Sequence, residues 1–349
     1  MRPLRLAVDA RVAVEDTRGI GRYVRAILRR LIEREDVELT MLVRGLLPAR
    51  RRASYERALG SERFRVASRA GAASDCVWHP ANGTFFASSL PNVVTIHDAV
   101  PFRYPAAEAK RRRHAQGPFL RSARTAARVI TVSQFAAREL RELLGIPPER
   151  VAVIPHGVEA SFSPGAPMTL PDPLRDHDYF LFVGDPIREP RKNFDLLYDA
   201  FRRAWPGGDG PALGVAGPRA PERAGIVALG DLGDDLVAGI PERLRDCYRG
   251  ALALVIPSYH ETFGMPMLEA MACGTPVIAA AAGSLPEVGG GAALYAAPDD
   301  AGAWAKALAM ISESTALRER LRDGGLQRAR EFNWDESAQR HLDVFRSLA

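Results

Sequence analysis

The stretch ALALVIPSYHETFGMPMLEAMACGTPVIAAAAGSLPEV, from Ala251 to Val288, decides the fold. It opens on an apolar run, Leu252 to Pro257, short and bounded by a turn, as a buried parallel strand should be. A polar loop follows, Ser258 to Gly264. Pro266 suits the first position of a helix, where its missing N–H costs nothing. That helix runs through Leu268, Glu269 and Met271 and stops at Gly274, with Pro276 just beyond. Val277 to Ala281 is the next strand. In a parallel sheet this strand–loop–helix–strand unit places the loop and the helix N-terminus at the ligand-binding crevice.

Two carboxylates belong to that crevice, Glu261 in the loop and Glu269 on the helix. The backbone N–H groups around Gly264 and Met265 point the same way and favour an anion such as a phosphate. Carboxylates accept hydrogen bonds from hydroxyl pairs. Glu261 and Glu269 therefore suit a ligand with sugar hydroxyls on both sides of a phosphate, against the alternative of two solvated glutamates on a helix rim.

The run Glu261-Thr-Phe-Gly-Met-Pro-Met-Leu-Glu269, followed by Ala-Met-Ala-Cys-Gly274-Thr-Pro-Val, resembles the donor-site signature of the family 4 retaining glycosyltransferases of GT-B fold. The resemblance implies that Glu261 contacts the transferred sugar, that Phe263, Gly264 and Met265 offer amides to sugar and diphosphate with Leu268 beside them, and that Glu269 holds the ribose hydroxyls. Upstream, Tyr179 to Val183 and Gly184 form a buried strand meeting a glycine. The loop Asp185 to Arg191 then leads to Lys192-Asn193 and a helix through Leu196, Leu197 and Phe201. The chain has only three lysines, Lys110, Lys192 and Lys306. In an arginine-rich chain, a lysine at a strand–loop–helix junction points to a need for a compact charge. Pro190-Arg191-Lys192-Asn193 also matches the family's diphosphate motif, which implies that role for Lys192 and Arg191. Many members carry a basic residue right after the strand glycine. Asp185 stands there instead, with Arg188 or Arg191 as substitutes. Gly217 and Leu232 are base-binding candidates, and Gly283 to Val288 repeats a family pattern beside the donor.

In the first half, Leu4 to Val8 is a strand, and Arg18-Gly19-Ile20-Gly21 forms a glycine loop before a helix carrying Tyr23, Ile27, Leu28, Leu31 and Ile32. By itself the loop reads equally as a tight turn or a ligand loop. The resemblance implies that Gly19 and Gly21 close over the donor phosphates. Val37 to Val43 is a second strand, and residues 44–75 show no usable pattern. Cys76-Val-Trp78 runs into His79-Pro80, and Asn92 to Ile96 runs into His97-Asp98, both at the crevice end of a parallel sheet. The resemblance implies that His97 reaches the transferred sugar beside Asp98. His79 and Asn82 are the acceptor candidates. Arg128 to Val132 is a strand, Ser133 caps a helix Gln134 to Leu144, and Pro155-His156-Gly157-Val158 resembles the family's signature at the end of the first domain.

These readings give an α/β chain of GT-B type, two Rossmann-like parallel-sheet domains facing across a cleft. Residues 1–160 form the acceptor domain, 161–178 a proline-rich linker and 179–330 the nucleotide-sugar domain. Residues 331–349 form a helix crossing back to the first domain. At 349 residues, 47% hydrophobic and 26% charged, the chain is an ordinary two-domain globular protein. The sequence starts directly in a strand, and the three cysteines, which lack metal spacing, are odd in number, as suits a reduced cytosol; a cytoplasmic location is expected. Residues 1–160 hold 28 Lys and Arg against 16 Asp and Glu, a net +12, while the remainder carries −7. The clusters Arg44 with Arg50 to Arg52, and Lys110 to Arg113, are either solvated faces or a peripheral contact with an anionic membrane or acceptor. Nucleic acid is disfavoured because no aromatic residues interleave the arginines.

The expected reaction moves a hexose-type sugar, mannosyl-type as the favoured case, with retention, from a GDP- or UDP-linked donor to a glycan, lipid-linked or small-molecule hydroxyl. His97, Glu261, Lys192 and Arg191 carry it, and the donor is bound by Gly19, Gly21, Asp98, Gly184, Arg188, Gly217, Phe263, Gly264, Met265, Leu268 and Glu269. No cofactor or metal is expected: Asp176-His177-Asp178 precedes its strand and reads as linker, and Asp299-Asp300 as a loop pair. The rivals are a nucleotide-sugar isomerase, a non-catalytic nucleotide-sugar-binding protein, and an oxidoreductase. The last is disfavoured because no GxGxxG follows the first strand.

Overall fold

Leu4, Leu6, Ala7 and Val8 are all buried, the mark of a strand covered on both faces. They form β1 (Leu4–Val8) of a computed structural model that describes residues 2–16, 19–44, 48–71, 73–86, 88–175, 177–232 and 242–349. After β1 come α1 (Arg11–Glu15), α2 (Gly19–Ile32), β2 (Val37–Leu42), α3 (Arg52–Leu59), β3 (Arg65–Ala67), β4 (Cys76–His79) and β5 (Asn92–Thr95). Then follow α4 (Val100–Arg103), α5 (Ala109–Thr125), β6 (Arg128–Thr131), α6 (Gln134–Leu144) and β7 (Val151–Val153). The seven strands are parallel in the order β3-β2-β1-β4-β5-β6-β7. The order reverses between β1 and β4, which puts the ligand crevice of this sheet outside Asp9 and His79.

Residues 44–75, unreadable as sequence, supply α3 and β3. Helix α3 buries only Tyr55 and Leu59, too few apolar positions for a period to show. Helix α6 is capped as its sequence predicts: Ser133 Oγ accepts from the Ala136 N–H at 3.0 Å, and Gly145 closes it at φ +65°.

The second sheet contains β8 (Tyr179–Val183), β9 (Ala212–Ala216), β10 (Ile226–Gly230), β11 (Ala253–Ile256), β12 (Val277–Ala280) and β13 (Leu294–Ala296). Ahead of it, α7 (Asp172–Arg175) occupies part of the expected linker. The connecting helices are α8 (Phe194–Ala204), α9 (Glu242–Gly250), α10 (Met265–Cys273), α11 (Leu285–Gly289), α12 (Ala301–Glu313) and α13 (Thr315–Ala329). Pro241, expected to begin α9, lies outside the described residues. These strands too are parallel, in the order β10-β9-β8-β11-β12-β13, with the reversal between β8 and β11. The loops after β8 and β11 therefore converge at one crevice.

The last helix, α14 (Trp334–Arg346), is capped by Asn333, whose Oδ1 accepts from the Asp335 N–H at 2.6 Å. Its buried face of Trp334, Ala338, His341, Leu342 and Phe345 packs on α2. Accordingly the chain divides into a first unit, Met1–Gly157 with Asn333–Ala349, and a second, Val158–Phe332.

Candidate functional site

In the second unit the loops after β8 and β11 meet through their backbones and side chains. After Gly184 the chain forms a 3-10 turn, Pro190–Lys192, which ends at Asn193 in the left-handed region, φ +54°. Asn193 Nδ2 donates to the Pro257 carbonyl at 3.1 Å and to the Pro298 carbonyl at 2.6 Å. The Tyr259 N–H in turn donates to the Arg191 carbonyl at 2.9 Å. These bonds bring Lys192 Nζ to 2.7 Å from Glu261 Oε1. Arg191 approaches Glu261 Oε2 at 3.5 Å while donating to the His260 carbonyl at 3.0 Å, and Ser258 Oγ donates to Glu261 Oε1 at 3.0 Å.

Burial opposes the charge on Glu261, but Lys192 and then Arg191 outweigh it and hold the carboxyl at about 2, so it is ionised at neutral pH. Its backbone is clamped as well. The Ser284 N–H and hydroxyl both donate to the Glu261 carbonyl, at 2.9 and 3.0 Å. Gly283, at φ +63°, has no room for a side chain, because a Cβ would lie 2.5 Å from that same carbonyl oxygen.

Three residues past Glu261, Gly264 turns into α10 at φ +90°, and no side chain caps the helix. Among the described residues no acceptor meets the Gly264 or Met265 N–H, so the positive end of the helix is open. Glu269 is only 2% exposed, and Tyr248 Oη donates to its Oε2 at 2.9 Å. Phe263 packs on Phe332 and Leu268 is buried, so both side chains serve the core; a contact from the Leu268 side chain is not what the geometry offers. Gly184 and Gly217 pack together, a Cβ on Gly217 falling 1.9 Å from the Gly184 carbonyl oxygen. Leu232 is buried. Asp176 lies outside the described residues, and Asp178 sits at the amino-terminal end of β8, away from the crevice. Asp300 caps α12, its Oδ1 accepting from the Ala303 N–H at 2.9 Å.

In the first unit, Asn82, His97 and Asp98 form a cluster beyond β5. Asn82, at φ +53°, accepts from the His97 N–H at 2.6 Å and donates from Nδ2 to Asp98 Oδ2 at 3.2 Å. The His97 Nε2–H donates to the Pro80 carbonyl at 2.8 Å, which leaves Nδ1 as an acceptor. Burial keeps this imidazole neutral.

His79 does not fit its expected acceptor role. It has no exposed surface, and its Nε2 lies 3.1 Å from Asn92 Oδ1, because β4 is a central strand covered on both sides. The glycine loop is part of a helix start. Gly19 and Gly21 lie in the first turns of α2, and Arg18 falls outside the described residues. A Cβ on Gly21 would sit 1.8 Å from the Asp16 carbonyl oxygen, which Arg25 also holds at 2.8 Å. Gly21 therefore serves a tight turn.

Against known proteins, residues 17–162 match the Glycosyltransferase Family 4 model and residues 177–314 the Glycosyl transferases group 1 model. The chain belongs to glycosyltransferase family 4. This family 4 chain is 29% identical to O-antigen chain mannosyltransferase B of Escherichia coli, over 73% of its own length and 70% of that protein. It is 31% identical to the D-inositol 3-phosphate glycosyltransferase of Kineococcus radiotolerans and 34% identical to that of Acidothermus cellulolyticus. Those two matches cover 63% of this chain but only 57% and 53% of the relatives, a little over half their length. Among solved structures it is similar to a sucrose-phosphate synthase from Thermosynechococcus elongatus, TM-score 0.71 at 21% identity, covering 100% of this chain and 99% of that one. It is also similar to Anabaena HepE in complex with UDP and glucose, TM-score 0.69 at 16% identity, covering 99% and 100%. These likenesses show a GT-B-like fold of two parallel-sheet α/β domains.

As a family 4 chain it departs from the resemblance at Asp185. This buried carboxylate accepts the Ile187 and Arg188 N–H groups at 3.1 and 3.0 Å and pairs with Arg219 at 3.2 Å. The Arg188 side chain is exposed. Sequence reasoning missed Arg219, Ser258 and Tyr248. Of these only Ser258, directly after a strand end, carried a local signal.

Proposed function

We propose that this chain transfers a hexose, of mannosyl type, from a nucleotide-diphosphate sugar to a hydroxyl of a glycan, a lipid-linked acceptor or a small molecule, with retention and without a metal. One observation carries the reading: an ionised Glu261 held 2.7 Å from Lys192 at the switch point of the second sheet, next to the open N-terminus of α10. The mannosyltransferase activity for which the Escherichia coli relative is named supports mannosyl transfer, and the UDP and glucose in the Anabaena structure support a nucleotide-sugar donor.

In this reading the diphosphate meets the Gly264 and Met265 N–H groups, and Lys192 and Arg191 turn towards it. Lys192 thereby releases Glu261 to accept hydrogen bonds from the sugar hydroxyls, while Tyr248 steadies Glu269 for the ribose. The bond from the anomeric carbon to the diphosphate oxygen breaks. The acceptor oxygen bonds to that carbon on the same face, and its proton passes to the departing diphosphate. Lys192, Arg191 and the helix end stabilise the charge that grows there, usually the dominant catalytic term. His97 and Asp98, in the first unit, are assigned to the sugar, and Asn82 positions both.

Calorimetric titration with UDP, GDP, ADP and dTDP, with and without EDTA, tests the donor site. Micromolar binding of one nucleotide, insensitive to EDTA, is expected; binding only with a divalent cation overturns metal independence, and no binding overturns the donor site. NMR of the product made from the matching donor then reads the anomeric configuration. An epimerised donor formed without acceptor would identify an isomerase instead.

A further inference from the structure

Helix α5 divides sharply between its two faces. Its inner side buries Phe119 and Ser122, with Phe119 edge-on to Phe102 at 5.7 Å. Its outer side carries Lys110, Arg113, His114, Leu120, Arg121 and Arg124, all exposed. On a helix of 3.6 residues per turn, Lys110, Arg113, Arg121 and Arg124 fall on one stripe about 21 Å long.

No acidic residue lies within α5. Glu108, just before it, is engaged by Arg111 at 2.9 Å. Among the described residues Lys110, Arg113, Arg121 and Arg124 pair with no carboxylate, whereas Arg30, Arg34 and Arg52 in the same unit all do. Cations left unpaired in a row repel one another, so the fold gains nothing from the arrangement. The large apolar side chains that the first unit exposes, among the described residues, are Tyr104 just before α5 and Leu120 on it.

We propose that the α5 stripe docks the first unit onto an anionic phospholipid surface, the helix lying in the plane of the headgroups. Flexible cations in a line match a plane of phosphates, and Leu120 and Tyr104 reach the acyl boundary between them. A single-stranded nucleic-acid site would instead present a series of aromatic rings for bases to stack on, whereas Tyr104 is the one exposed Phe, Tyr or Trp ring of the first unit among the described residues and Phe119 of α5 is buried. No helix among the described residues is long and apolar enough to cross a membrane.

The test is co-sedimentation of the purified protein with vesicles of phosphatidylcholine alone or with one third phosphatidylglycerol. A variant K110Q/R113Q/R121Q/R124Q is compared with a control of equal charge loss, R57Q/R63Q/R65Q/R69Q. The wild type should partition to acidic vesicles only, and less so when salt rises from about 0.1 M to about 1 M. The stripe variant should lose at least ~100-fold in partition, and the control much less. Equal binding to neutral vesicles, equal loss in both variants, or tighter binding to a single-stranded oligonucleotide overturns the proposal. Should the quadruple variant fold poorly, Leu120→Trp reports directly. Its fluorescence should shift to the blue on acidic vesicles, and an unshifted spectrum counts against docking.

Discussion

The Tyr23 hydroxyl lies 2.7 Å from His341 Nε2 inside the first unit, and it is one link in a directed chain. His341 Nδ1–H donates to the Ser337 carbonyl at 2.7 Å, so Nε2 must accept the Tyr23 proton. Tyr23 in turn meets Thr95 Oγ1 at 3.0 Å, which the Trp78 Nε1–H also reaches at 3.0 Å. The chain ties α14 to α2, β4 and β5 through direct side-chain contacts.

Removing the hydroxyl with Tyr23→Phe leaves Thr95 and His341 each short of a buried partner. The first unit should lose about 1–3 kcal/mol, seen as a lower urea midpoint at unchanged m-value. A midpoint equal to wild type would mean the chain contributes nothing to the docking of α14.

Acid should weaken the two units in separate pH windows. Burial drives His341 down from 6.5 to about 4, and His97 and His156 are pushed down by burial too. Each is neutral when folded but takes a proton on unfolding below 6.5. The first unit should therefore lose stability as pH falls below 6.5, with His341 contributing roughly 1.4 kcal/mol per pH unit down to about 4. Glu261 has the opposite chemistry, a folded value of about 2 against 4.5, so its contribution is complete above 4.5 and fades towards 2. Hydrogen exchange followed by unit at pH 7, 5.5, 4 and 3, which sample both windows, should show the first unit opening first. Simultaneous opening would contradict the assignment.

Glu261→Ala and Lys192→Ala should each lower transfer by at least ~100-fold, the scale of a lost transition-state contact. Lys192→Arg should recover little, since a planar guanidinium does not replace a compact ammonium 2.7 Å from its partner. The readout is kcat with the donor found by calorimetry, on protein whose circular dichroism is unchanged. Near-normal rates would take both residues out of the site.

At Gly283→Ala the new methyl meets the Glu261 carbonyl at 2.5 Å and must adopt φ +63°. Loss of about 1–3 kcal/mol in the second unit is expected, with a fall in kcat because Glu261 is displaced. An enzyme that keeps its kcat would show that the clamp does not set the position of that carboxylate.

Much of this was visible in the chain itself. Both sheets announced themselves through short apolar runs ending in glycine or polar pairs, and Ser133, Gly145 and Gly274 marked helix ends as their chemistry predicts. Lys192 and Glu261 were readable because each follows a strand that ends at the switch point. What escaped depended on contacts between distant residues. Tyr248 reaches Glu269 across 21 positions and Arg219 reaches Asp185 across 34, with no local pattern to signal either. Gly21 shows why the glycine loop read both ways: a tight backbone approach and a ligand loop use the same residue for the same reason. Helix α5 hid because only Phe119 and Ser122 are buried on it.

Asn193, with one side-chain amide spanning the Pro257 and Pro298 carbonyls, makes two separate loops behave as a single part. Any motion of the Lys192 backbone must also carry the strand end from which Glu261 springs, while its side chain stays free to turn. A substitution that retargets this enzyme to another sugar should be found in the residues around that block, not in the spacing within it.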